Sequence, residues 1–153
     1  MAQQAKVRPV TANDLDVLVA LDQKITGHSR RGFYEKRLKA MASDPKSFIA
    51  LAAESDGQVK GFLMAYLLDG EFGGSAPVAV MDALGVDSRA RGAGLAKALM
   101  SSLDGELKAK GVKELQTQAA IAEQNLTGFF IATGFQLAPR LTLERSVATP
   151  ADF

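Results

Sequence analysis

The chain has no cysteine and no tryptophan, and only one histidine and two tyrosines among its 153 residues. Without cysteine there can be no disulfide, no thiolate nucleophile and no thiolate-ligated zinc. With His28 as the only imidazole, a multi-histidine metal site is impossible and a serine–histidine triad is disfavoured. No metal is expected. Neither sign of charge is in excess: 18 lysines and arginines against 17 acids leave a net +1, which makes no case for a nucleic-acid surface or an acidic partner. No apolar run reaches membrane-spanning length, and the N-terminus lacks the basic-plus-apolar pattern of a secretion signal. The expected compartment is the cytoplasm, with no membrane and no nucleic acid as partner. No repeat, low-complexity tract or linker divides the sequence. Its 47% hydrophobic content, at this length, supplies one core, so residues 1–153 read as a single domain.

What the sequence does have is a regular succession of elements. Residues 6–10 form a short strand. Thr11-Ala12-Asn13-Asp14 then has the form of a helix start, followed by an apolar stripe at Leu15, Leu18, Val19 and Ala20. Thr26-Gly27-His28-Ser29 breaks that helix, and a second runs over 30–42. Residues 48–53 and 59–68 are strands joined by a hairpin turn at Ser55-Asp56-Gly57. A glycine-rich loop at 69–74 leads to a strand over 77–86. The next helix repeats leucine at 95, 99, 103 and 107 and stops at Gly111. A strand over 112–117, a helix over 123–133 and a last strand region over 135–147, interrupted by Pro139, complete the chain. This order is that of a mixed α/β fold.

One stretch organises the rest. The strand over 77–86 runs into Asp87-Ser88-Arg89-Ala90-Arg91-Gly92-Ala93-Gly94, and a helix opens near Ala93 or Gly94. Small residues at Gly92, Ala93, Gly94 and Ala96 let a ligand approach the backbone, and the first N–H groups of the helix favour anions, phosphate above all. Arg89 and Arg91 add positive charge beside them. The stretch reads as a pyrophosphate cradle. It lacks the Gly-Lys-Ser/Thr ending of a nucleotide-triphosphate loop, and Lys97 stands where a dinucleotide fingerprint needs its third glycine. A glycine-containing turn with no ligand, and a nucleotide-binding α/β domain, are the alternatives.

Arg91-Gly92-Ala93-Gly94-Leu95-Ala96, with Val86 five residues upstream of Arg91, resembles the acyl-coenzyme-A-binding motif of the GNAT superfamily of N-acetyltransferases. The element order matches that superfamily over nearly the whole chain. Phe129-Phe130-Ile131-Ala132-Thr133-Gly134-Phe135 is similar to its helix-to-strand segment. The resemblance implies a mixed sheet that splays at the strand ending at Val86, where the pantetheine arm pairs with backbone at Leu84, Gly85 and Val86. It implies acetyl-CoA as co-substrate and an amine as acceptor, in a monomer or a homodimer. Arg91, Gly92, Ala93, Gly94, Leu95 and Ala96 would hold the pyrophosphate. Asn125 would take the place of an asparagine usual on the late helix, two positions out of register. Phe130 departs from the pattern: the family often places tyrosine there as acid towards the thiolate. That departure keeps a non-catalytic acyl-CoA-binding or sensing module as the alternative to an acetyltransferase.

Amine attack on a thioester needs a proton acceptor. Asp82 is the only acid within the apolar strand over 77–86, four residues before Val86, which places both side chains on one face of a regular strand. It is either the base or a structural hydrogen-bonding group, because a bare buried carboxylate is costly. Glu71, on the glycine-rich loop, is the second candidate base or a solvated loop acid. His28, Arg30 and Arg31 open the second helix, which forms a wall of the acceptor cleft in the resembled family. The two arginines would hold an acceptor carboxylate or phosphate, or stand solvated.

Overall fold

A computed structural model describes residues 5–90, 92 and 94–148. The chain forms two compact units, Met1–Gln118 and Ala119–Phe153. The first holds a five-stranded sheet in the order of the sequence: β1 (Lys6–Pro9), β2 (Phe48–Ser55), β3 (Gln58–Asp69), β4 (Pro77–Val86) and β5 (Leu115–Thr117). The first three pairings are antiparallel and β4–β5 is parallel. Helices α1 (Leu15–Thr26), α2 (Arg31–Ser43) and α3 (Leu95–Ala109) belong to the same unit, and α4 (Gln124–Ala132) to the second.

Local chemistry explains most boundaries. The β2–β3 hairpin turns on Asp56 and Gly57, both at positive φ (56° and 73°), which matches the twist of a two-residue loop. Before α1, the Asp14 carboxylate accepts the Thr11 amide at 2.7 Å and two hydrogen bonds from Arg8 of β1 at 2.8 Å. Helix α3 ends in a left-handed glycine cap. Gly111, at φ 74°, donates its N–H to the Lys108 carbonyl at 3.1 Å, and Val112 reaches back to Leu107 at 2.9 Å.

The sheet is covered on both faces. On one, Leu18, Val19 and Leu21 of α1 and Tyr34 of α2 pack with Ala50, Ala52, Phe62, Met64 and Ala83. On the other, α3 buries Leu95, Leu99, Leu103 and Leu107, the stripe read from the sequence. Each such leucine contributes roughly 1.5–3 kcal/mol of burial.

Two expectations are corrected. The strand expected over 112–117 is shorter, Leu115–Thr117. Among the described residues 135–148 there is no strand, and Leu137, Leu141, Leu143 and Val147 stand exposed. Alternating Leu141-Thr142-Leu143-Glu144 has strand character, but a strand exists only where a partner backbone completes its ladder, and no alternation pattern supplies that partner.

Candidate functional site

The sheet opens along β4. One edge pairs with β3 from Pro77 to Val86, while β5 pairs with the other only over Ala79, Val80 and Met81. The Thr117 hydroxyl donates to the Met81 carbonyl at 2.8 Å, where the two strands part. From Asp82 onward, the outer edge of β4 carries no strand among the described residues. Asp87 donates its N–H to Lys60 on the β3 side at 2.7 Å. By the alternation of a strand, Leu84 and Val86 therefore offer their N–H and C=O groups to the open edge, and Gly85 offers its own to β3.

A bulge sits in the same stretch. Met64 pairs with Ala83 and Ala65 with Met81, so Asp82 is the extra residue. The insertion reverses the alternation behind it. Asp82 and Val86 therefore do not share a face, contrary to the regular-strand expectation. Asp82 turns with Ala83 towards α2, whereas Val86 faces Gly61 on the side of Leu99 in α3.

At the bulge, both Asp82 carboxylate oxygens accept hydrogen bonds from the Arg37 guanidinium, one of them at 2.9 Å. Arg37 is held in turn by three rings, with its guanidinium carbon 5.2 Å from the centroid of Phe33, 5.3 Å from Phe48 and 5.5 Å from Tyr66. Its side chain is only 11% exposed and that of Asp82 26%. Sequence reasoning missed Arg37. The available signal was its place on the apolar side of α2, four residues after Phe33 and next to Leu38.

Gly85 has a packing reason to lack a side chain. A Cβ there would lie 2.7 Å from the Phe62 ring and 2.8 Å from Ile25 of α1. The groups that approach this glycine closely are thus core side chains, and the bulge lies earlier in the strand.

The turn after β4 is built on Asp87. Its carboxylate accepts the Arg89 N–H at 3.0 Å and its carbonyl the Ala90 N–H at 2.9 Å, closing a short 3-10 turn over Ser88–Ala90. The Arg89 amide is the first cause holding this carboxyl below the usual aspartate range. Gly92 and Gly94 follow at φ 88° and 76°, the left-handed region that favours glycine. Helix α3 starts at Leu95, slightly later than expected, with its first helical bond from Ala98 to the Gly94 carbonyl at 2.9 Å. The N–H groups of Leu95, Ala96 and Lys97 thus lack intrahelical partners and form a place for an anion. Leu95 buries its side chain and has only its backbone to offer. Arg91 and Ala93 lie outside the described residues.

Other expected residues stand apart from this edge. Glu71 sits in a loop where Gly70, Phe72 and Gly73 all take positive φ, before the first residue of β4. Asp82 lies five residues into that strand, roughly 16 Å along it from Pro77. Arg30 makes two hydrogen bonds, 2.8 and 2.5 Å, to the buried Asp22 of α1. Arg31 bonds Asp16 at 2.8 Å and lies 3.7 Å from Glu35. His28 is exposed, and its carbonyl accepts the Thr26 hydroxyl at 3.0 Å. Tyr34 is buried beside the Asp22–Arg30 pair, with no hydrogen-bond partner for its hydroxyl. Burial first, and Asp22 next, keep it protonated well beyond the ordinary tyrosine range.

In the second unit, Asn125 is exposed in the first turn of α4. Phe130 is buried, its ring centroid 5.8 Å from Phe129 and 5.2 Å from Phe135. Among the described residues no group of three His, Cys, Asp or Glu could hold a metal ion. No helix among them is long and apolar enough to cross a membrane.

Comparison with known proteins agrees with this geometry. A transcriptional regulator from Bacillus halodurans C-125 superimposes with a TM-score of 0.80 at 18% identity, over 94% of this chain and 99% of that one. Aminoglycoside N-acetyltransferase AAC(6')-Iy in complex with CoA gives 0.80 at 18% identity, over 96% and 97%. Ribosomal-protein-alanine N-acetyltransferase from Brucella melitensis biovar Abortus 2308 gives 0.74 at 18%, over 94% and 100%. At such identities the likeness is one of fold. No curated protein matches the sequence. Residues 17–135, a span that runs through both units, match the model of the acetyltransferase (GNAT) family. With most of its length matched, and with a sheet that parts at β4, the chain belongs to the acetyltransferase (GNAT) family.

Proposed function

We propose that the protein transfers the acetyl group of acetyl-CoA to a primary amine by direct attack, in the cytoplasm, as one domain over residues 1–153 and as a monomer or homodimer. One observation carries the reading: the edge of β4 from Asp82 to Val86, unpaired among the described residues, leads into the anion-receiving start of α3. An extended pantetheine arm adds to that edge as a strand would, through Leu84 and Val86. Its pyrophosphate then meets Gly92, Gly94 and the amides of Leu95 and Ala96, with Arg91 and Ala93 adjoining them in the sequence. This runs the thioester back along β4 towards Asp82.

Asp82 takes a proton from the acceptor ammonium. The freed nitrogen forms a C–N bond at the thioester carbonyl, the now cationic nitrogen gives its second proton to water, the C–S bond breaks, and the thiolate leaves with the electron pair to be protonated. Phe130 has no proton to supply, so that proton comes from water, from Asp82 itself or from a hydroxyl such as that of Ser88. The Thr127 hydroxyl already donates within α4, to Glu123 at 3.2 Å. The phenylalanine also supports a second reading, a module that binds acyl-CoA without turnover.

Isothermal titration with acetyl-CoA, paired with thiol release over a panel of amines, separates the two. Binding with turnover is expected; binding without any turnover would establish the module, and no binding at millimolar concentration would end both readings. Gly94→Ala localises the cradle. Its added Cβ meets nothing within 4 Å among the described residues. The left-handed backbone costs about 1–2 kcal/mol of stability. Affinity for acetyl-CoA should fall at least about tenfold, and unchanged affinity would place the cradle elsewhere.

A further inference from the structure

The candidate base and the candidate acceptor wall are joined by one ion pair, and its form bears on the acceptor. Arg37 presents a planar fork that fits a carboxylate through two parallel N–H···O bonds. Phe33, Phe48 and Tyr66 fix that fork, so the guanidinium stays where it is whichever carboxylate occupies it. Asp82 fills it here, with both oxygens engaged. A carboxylate so held is poorly placed to accept a proton from an incoming amine.

The other acids of the helical layer are committed too. Asp14 is bound by Arg8, Asp16 by Arg31, Asp22 by Arg30, and Glu35 lies beside Arg31. A polycationic acceptor finds on α1 and α2 only the exposed Asp16 and Glu35, each already beside the Arg31 guanidinium. An acceptor with its own carboxylate finds a rigid arginine fork instead.

We infer that the acceptor is an amine bearing a carboxylate close to its amino group, of the α-amino-acid type, and that its carboxylate displaces Asp82 from Arg37. The exchange does two things at once. It anchors the acceptor beside the open edge of β4, and it releases Asp82 to take the proton of the neighbouring ammonium. The N–H bond breaks as the Asp82 O–H forms, the nitrogen lone pair attacks the acetyl carbonyl, the cationic nitrogen passes its second proton to water, and the C–S bond breaks with the thiolate protonated as it departs. Arg37 is the residue that sets specificity, and an amine without a carboxylate leaves the base occupied. This inference rests on the acetyltransferase reading above.

Thiol release from acetyl-CoA with matched pairs of free α-amino acids and their amides tests it. The amide is the less basic amine, so basicity alone favours the amide. Free amino acids should nevertheless show kcat/KM higher by about 30-fold or more. Arg37→Met should erase that ratio from both sides, raising KM for the acids and, by freeing Asp82, raising kcat for the amides. Arg37→Lys keeps the charge without the fork and should retain only part of the ratio. Equal use of acids and amides by the wild-type protein overturns the inference whether or not either variant folds, as does a ratio that survives Arg37→Met. Turnover of amides alone overturns it while upholding the acetyltransferase. Absence of turnover with every amine overturns both.

Discussion

At the scale of single residues, Asp82 is the position on which chemistry and structure meet. It is the extra residue of the bulge, next to the open edge of β4, and it also neutralises an arginine that is almost out of water. General-base assistance is worth roughly 10²–10⁴-fold in rate. Asp82→Asn keeps the shape of the side chain and should lower kcat by about that factor while leaving acetyl-CoA affinity near wild type. Glu71→Gln, at the other end of the strand, should be nearly silent. Activity measured on both variants decides between them: a fully active Asp82→Asn beside an inactive Glu71→Gln would reverse the assignment. Circular dichroism of Asp82→Asn checks the other possibility, a purely structural ion pair whose loss unfolds the domain.

At the scale of elements, β4 is two strands in one. Its first half lies between β3 and β5 as an inner strand; its second half, among the described residues, has a neighbouring strand on one side only. The bulge at Asp82 marks the change and strengthens the local twist. Gly85 keeps the second half flat against Phe62 and Ile25, because no side chain fits between those groups and the backbone. Overpacking of this kind typically costs about 1–3 kcal/mol. Gly85→Ala should lose that much stability in urea unfolding, and α1 should show the first shifts in hydrogen exchange because Ile25 has to move. A variant as stable as wild type would mean that the contact relaxes freely.

At the scale of the whole molecule, ion pairs stitch elements that are far apart in sequence. Arg8 of β1 holds Asp14 before α1 and bonds Glu54 of β2 at 2.6 Å, while Arg30 holds the buried Asp22. The Arg8 hydrogen bonds are the main cause that lowers the Asp14 carboxyl from its ordinary 3.8. For Asp22, burial is the largest influence and pushes upward, but the hydrogen bonds and charge of Arg30, with smaller neighbouring contributions, together outweigh it, so the net direction is again down from 3.8. Arg8 and Arg30 are shifted up and remain charged. A carboxyl depressed in the fold binds its proton less readily than in the unfolded chain. Its stabilisation is therefore complete above the unfolded value and is lost as pH falls through the folded one. Urea midpoints should stay level from neutral pH down to about 5 and drop steeply below about 4. Asp14→Asn should be less stable at neutral pH and show a shallower acid limb. An acid limb as steep as that of wild type would remove this pair from the account.

The sequence by itself determined most of the elements and their order, up to the last strand expected over 135–147. Leucine every fourth residue marks α3, Asp56-Gly57 closes a hairpin, and Gly92 and Gly94 stand where the backbone turns left-handed; each is a local property written in consecutive residues. The motif around Arg91 and the order of elements were enough to point to the family. Three matters were decided only in the tertiary structure. The bulge at Asp82 depends on the register between β3 and β4, which no single strand encodes, and it moved Asp82 to the face opposite Val86. The pairing of Arg37 with Asp82 joins residues 45 apart in sequence, inside a ring cluster drawn from three elements. The absence of a strand over the described residues 135–148 shows the same limit from the other side. Alternation states which face would be buried, and only a neighbouring backbone makes it a strand.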